Sequence, residues 1–156
     1  MLLRDGVSGF CSKGYVSVPV DSGSFKATCY AIAHQTGSRL LSVSHSAEIN
    51  FYQAQLELCG ENVYILLNRT YPFIAFASKM MDMHILFMDH QEFAISIHEL
   101  NSNYRVLQTS ELNEPIQLHE RKQALRNRNT LNQQELKAIF YWRPSTVGQV
   151  IFNYWD

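Results

Sequence analysis

At 156 residues and 46% hydrophobic content, the chain has the length and apolar content for one packed domain, which excludes disorder and the need for a disulfide or metal staple. The formal net charge of −1 gives no overall pull toward nucleic acid or an anionic membrane. The charge is nonetheless split: residues 1–118 carry seven Lys/Arg and eleven Asp/Glu, residues 119–156 six and three, so an acidic main body precedes a basic close.

In chain order, residues 1–14 contain Gly6, Gly9 and Gly14 with few periodic apolar positions and read as a loose lead-in. The opening Met-Leu-Leu-Arg-Asp-Gly lacks the apolar stretch of a signal peptide. Tyr15–Val20 alternates and reads as an edge strand, because Pro19 cannot donate to a ladder. Asp21-Ser22-Gly23-Ser24 is a turn and helix N-cap. Phe25, Cys29 and Ile32 then form one helical stripe up to Thr36, with the β-alternation of Phe25, Ala27 and Cys29 as the competing reading, and Gly37 stands at the left-handed C′ position. Arg39–Ser44 and Ile49–Leu58 read as strands, the second with a break in phase, closed by a hairpin turn at Cys59-Gly60-Glu61-Asn62.

The most apolar part follows. Asn62–Asn68, Phe73–Ser78 and His84–Met88 are three strand-length runs, nearly continuous in apolar residues. They are predicted to be consecutive antiparallel strands covered on both faces, or on one face with aromatic contacts on the other. Lys79–Met83 reads as a loop. Phe93–His98 alternates and predicts a further strand with Phe93, Ile95 and Ile97 inward, and Tyr104–Leu107 a shorter one. Residues 109–131 are polar and read as a loop with an exposed helical stretch around His119–Arg128. Two helices close the chain. The first is capped by Thr130 or Asn132, has Leu136, Ile139, Phe140 and Tyr141 on its apolar face, and stops before Pro144. The second presents Val147, Val150, Ile151, Tyr154 and Trp155 at helical spacing. The expected fold is a single α+β domain over residues 1–156: a mainly antiparallel sheet of about six to eight strands, one early helix, and two C-terminal helices packed on the sheet.

Reactive groups are sparse. Cys11, Cys29 and Cys59 form no Cys-x-x-Cys pair, a usage that suits a reducing compartment, and cytosol is expected. No apolar run approaches the ~20 residues of a membrane helix. Asn68-Arg69-Thr70 matches a glycosylation acceptor, a chance match in a cytosolic chain. The six histidines show no metal-ligand spacing. Asp82-Met83-His84 and Asp89-His90 stand at opposite ends of one predicted strand, too far apart to share an ion, so neither metal nor cofactor is expected. Cys29 and His34 lie five apart on different helix faces. Gly-x-Ser-x-Gly and a P-loop are both missing from the sequence. Glu57 and Glu61, like Glu111 and Glu114, read as solvated carboxylates rather than a glycosidase pair. Arg121, Lys122, Arg126 and Arg128 form a basic stretch without interleaved aromatics. Tyr71, Trp142 and Arg143 stand at turns, where an anchor for a partner protein is well placed.

The closing Phe140-Tyr141-Trp142-Arg143-Pro144-Ser145-Thr146-Val147-Gly148-Gln149-Val150-Ile151-Phe152-Asn153-Tyr154-Trp155-Asp156 resembles the ends of small bacterial immunity proteins that guard against polymorphic or contact-dependent toxins. The resemblance covers about the last tenth of the chain and transfers no binding residue. It implies a cytosolic, non-enzymatic protein that blocks a cognate toxin, often a nuclease, by covering its active site. An acidic body suits a basic nuclease, so Asp82, Asp89, Glu92, Glu57 and Glu61 are the expected contacts, with Tyr71 as aromatic anchor. The alternatives are a hydrolase-type enzyme with a site assembled across the sheet from Cys29, His34 or His45, and a nucleic-acid-associated regulator using the 121–128 patch.

Overall fold

The apolar runs between Arg39 and Met88 build one antiparallel meander. The computed structural model describes residues 1–14 and 20–155, so the strand expected over Tyr15–Val20 lies, Val20 apart, outside the described residues. Strands β1 (Arg39–Ser44), β2 (Phe51–Leu58), β3 (Glu61–Asn68), β4 (Phe73–Met81) and β5 (His84–Met88) stand side by side in sequence order. Strand β6 (Arg105–Val106) adds a short parallel pairing to β4 at Phe73 and Ile74. A separate two-stranded ribbon, β7 (Leu118–His119) with β8 (Ala124–Leu125), completes a mixed α+β fold with an early helix and C-terminal helices, as the sequence predicts.

The continuous apolar character of β3 and β4 follows from burial on both faces. One face of the sheet turns Val63, Ile65 and Leu67 of β3, with Ile74 and Phe76 of β4, toward helices α1 (Ser22–Thr36) and α2 (Gln91–Leu100), which supply Phe25, Cys29, Ile32, Phe93 and Ile97. The other face turns Phe51, Leu66, Phe73 and Ala75 toward α4 (Gln133–Trp142) and α5 (Val147–Ile151), which supply Ile139, Val147, Val150 and Ile151. Helix α1 forms as its spacing predicts. Asp21 rather than a serine caps it, accepting from the amides of Gly23 at 3.1 Å and Ser24 at 2.9 Å, and Gly37 ends it at φ 67°.

Five segments depart from the sequence reading, the opening residues among them. Phe93–His98 is helix, not strand. His90 caps α2 by accepting from the amide of Phe93, Phe93 and Ile97 face the core at i, i+4, and Ile95 is exposed. The same letters fit both periods, and the helix wins because it lays Phe93 over Phe76 of the sheet. Residues 79–81 belong to β4, not to a loop. The helix expected around His119–Arg128 is the β7–β8 ribbon with a 3₁₀ turn over Glu120–Lys122, and a short helix α3 (Thr109–Leu112) precedes it. Helix α5 stops at Ile151, short of Tyr154 and Trp155. Gly148 lies so close to the sheet that a Cβ there would stand 2.5 Å from the Phe87 ring and 2.9 Å from the Leu112 carbonyl oxygen.

The opening residues are not loose. Leu3 and Val7 are fully buried, and the Leu3 backbone exchanges hydrogen bonds with Arg128 and Thr130. Polar side chains buried at the junction hold this segment in place. Asn68 donates to the carbonyls of Val7 at 2.9 Å and Ile151 at 2.7 Å, and accepts from the amides of Thr70 and Tyr71. Asn50 donates to the same two carbonyls and accepts from the amide of Asn153, which itself donates to Ser8 and Val150. Glu135, fully buried in α4, accepts from the Ser8 amide and hydroxyl and from the Asn132 amide. Among the described residues no buried side-chain nitrogen or oxygen lacks a partner.

Replacing Asn68 by leucine strands the Thr70 and Tyr71 amides, while Asn50 still serves the two carbonyls. The expected loss is about 3 kcal/mol in urea unfolding; a loss below about 1 kcal/mol would show that this junction does not hold the segment.

Candidate interaction surface at one end of the sheet

Two hairpins turn at the same end of the sheet. Leu58 pairs with Glu61 across Cys59–Gly60, and Met81 pairs with His84 across Asp82–Met83. All four turn residues have positive φ, 53° and 79° in the first turn, 46° and 65° in the second, the signature of type I′ turns. The first turn places glycine at its second position, as that geometry favours. The second places a methionine there. An unbranched but bulky residue in the left-handed region costs roughly 1–2 kcal/mol relative to its ordinary backbone.

The second turn is also unusually apolar for its exposure. Met81 and Met83 are each 64% exposed, with the exposed carboxylate of Asp82 between them. Four of the five methionines in the chain fall within residues 80–88. Depressions lie on both sides of the hairpin. One, about 640 Å³, runs from the Cys59–Gly60 turn across β3 and β4 to the far end of β5 and is lined by Leu58, Glu61, Val63, Lys79, Met81 and Met88. The other, about 280 Å³, separates Met83, His84 and Ile85 from Trp142, Tyr154 and Trp155 of the closing segment. Methionine side chains are flexible and polarisable, which suits contact with an irregular protein surface.

Of the six residues expected to meet a partner, three gather here. Glu61 and Asp82 are exposed beside the larger depression and in its flanking turn. Glu57, itself partly exposed, lies at the same end of β2 and pairs at 3.1 Å with the well-exposed Arg39, so this ion pair adds little to stability. The other three are placed elsewhere. Asp89 holds the start of α3, accepting from the Thr109 amide at 2.9 Å and hydroxyl at 2.7 Å. Glu92 is exposed in the first turn of α2, where a carboxylate complements the helix dipole. Tyr71 lies at the opposite end of β4; its hydroxyl donates to the Asp5 carbonyl at 2.7 Å and its ring stacks on Phe73. The residues that the sequence reading missed are Met81 and Met83. The methionine cluster was the available signal, hidden because Asp-Met does not announce a hairpin as Asp-Gly does.

The catalytic alternative loses its nucleophile. Cys29 is fully buried, and burial pushes its thiol up to about 12, so it keeps its proton at neutral pH. His34 and His45 are exposed, the latter edge-on to Tyr52. Among the described residues no three His, Cys, Asp or Glu side chains gather as a metal site, and no helix is long and apolar enough to cross a membrane. Arg121 and Lys122 are exposed in the turn between β7 and β8, and Arg126 and Arg128 are exposed after β8; Arg143, left-handed at the end of α4, pairs with Glu120.

Three outcomes are expected in solution. A thiol reagent at mildly alkaline pH should label Cys11 and Cys59 and spare Cys29 until the chain unfolds. Because the folded Cys29 value lies above the ordinary thiol value of 9.0, its contribution is present below that pH and is lost as pH rises toward about 12; Cys29→Ala should flatten this alkaline decline in stability. Met83→Gly converts the second turn to Asp-Gly and should raise stability by about 1 kcal/mol in urea unfolding. A destabilised Met83→Gly would mean that the side chain is packed and not strained.

No protein-family model matches the chain, and no curated protein or solved structure is detectably similar to it.

Proposed function

We propose that the protein is an immunity protein that binds a cognate toxin, a nuclease being the expected kind, and neutralises it by stoichiometric contact through the turn end of the sheet. The observation that carries this reading is the Asp82–Met83 turn, which sets two exposed methionines around a carboxylate, between two depressions, on a backbone that glycine would make easier to form. Strain held at an exposed position favours a role in contact over a role in folding. Glu57, Glu61 and Asp82 lie at this end of a body whose first 118 residues are acidic, and such a surface steers a basic partner into register. The segment that resembles immunity proteins borders the same hairpin through Trp142, Tyr154 and Trp155, so the aromatic rings and the methionines form the apolar part of the contact. Free cysteines, two of them exposed, fit action in the cytosol.

Neutralisation needs no chemistry from this chain. An interface of about 1,600 Å² laid over the toxin's active site excludes its substrate. The test is protection: cells producing the product of the reading frame beside this gene should survive only when the chain is co-produced, and the two purified proteins should form a complex that weakens with salt. Asp82→Lys should reduce affinity about tenfold, a loss of roughly 1.4 kcal/mol. Met83→Gly should weaken binding while it stabilises the chain. If the chain gives no protection and forms no complex with that neighbour, the proposal is overturned.

A further inference from the structure

The two edges of the sheet differ. On β1 the ladder to β2 shifts register between Leu40 and Ser42, and Arg39, paired with Glu57, guards the start of the strand. Bulges and charged residues are the means by which proteins keep an edge from pairing with another chain. Strand β5 has neither. From Met83 to Met88 there is no Asp, Glu, Lys, Arg, Pro or Gly. The register shift on that side lies in β4, between Ala77 and Lys79, not in the edge strand itself. Among the described residues no backbone group outside β4 bonds to β5, and β6 meets β4 only at Phe73 and Ile74. Leu86, at the middle of β5, is one of the more exposed apolar side chains of the molecule.

We infer that the β5 edge takes a second copy of this chain, pairing antiparallel about Leu86 to make one sheet continuous across a two-fold axis. The strand is complementary to itself in that register. Leu86 meets Leu86 of the second copy, His84 meets Met88, and Ile85 meets Phe87. The last pair lies on the face of α4 and α5, where Ile85 and Phe87 both pack, while Met88 packs on the face of α1 and α2. No charge opposes a like charge. The pairing is isologous, and the guarded β1 edge stops the sheet from growing, so assembly closes at two copies instead of running to a fibre. Five residues are a short strand, and the contact is accordingly in the micromolar class of transient interfaces. The epitope proposed for the toxin lies at the turn end of the sheet, so the two contacts are separable by mutation.

The experiment is sedimentation velocity of the full chain over a concentration series up to high micromolar. The chain should shift from monomer to dimer. Leu86→Lys, at an exposed position, should remain monomeric throughout with an unchanged circular dichroism spectrum. Leu41→Lys, at the exposed position on β1, should leave the dimer intact. In a Cys11→Ser, Cys59→Ser background, Leu86→Cys should cross-link to a covalent dimer on mild oxidation and Leu41→Cys should not. A chain that stays monomeric at every concentration would overturn the inference, as would a dimer that survives Leu86→Lys. A monomeric parent whose toxin protection is abolished by Leu86→Lys would show that the edge receives a partner's strand instead. Protection by a monomeric Leu86→Lys leaves the immunity reading standing.

Discussion

Asn68 is the fixed point of this molecule. Its side chain sits at the end of β3, fully buried, and makes four hydrogen bonds to backbone groups of three segments: Val7 near the start, Thr70 and Tyr71 in the next turn, and Ile151 at the end of α5. A buried amide is costly unless every group is satisfied, and once satisfied it specifies a unique arrangement of whatever it binds. Asn50, Asn153, Ser8 and Glu135 extend the same logic. They convert an apolar face open to any amphipathic segment into one that accepts residues 1–12 and the α4–α5 pair in a single register. The large apolar cluster on that face supplies the driving force, and the amides decide the alignment.

This division explains how much of the fold was legible in the residues. The meander was readable because burial on both faces leaves β3 and β4 almost unbroken in apolar side chains, and α1 because Asp21, Gly37 and the Phe25–Cys29–Ile32 stripe agree with one another. Phe93–Ile97 was misread because alternation and i, i+4 spacing share Phe93 and Ile97; only the tertiary setting, with Phe76 in need of cover, separates them. The opening segment was misread for the opposite reason. Its anchors are Leu3 and Val7 plus hydrogen bonds to residues more than forty positions away, and no local pattern records those.

The candidate surface was half legible. Carboxylates at Glu57, Glu61 and Asp82 share one end of the sheet because antiparallel hairpins return the chain there, and a correct strand order was enough to bring them together. Asp89 and Tyr71 look equally available as letters, yet each is committed to holding backbone in place. The methionines were overlooked because a hairpin whose second turn residue is Met runs against local preference. Conflicts of that sort mark positions chosen for something besides folding, and here the conflict coincides with the most exposed apolar side chains of the sheet.

The long reach of the Asn68 contacts also sets an order of events during synthesis. Residues 39–88 pair with near neighbours and can assemble as soon as they leave the ribosome, whereas the face that carries Phe51, Leu66 and Phe73 stays incompletely covered until residues 131–153 have been made. For that interval the nascent sheet is a sticky half-product, open to chaperones and to its own siblings on a polysome. A cell that needs this protein quickly therefore depends on the last helices arriving in time, and translation pauses near α4 would be felt as lost yield, not as altered shape.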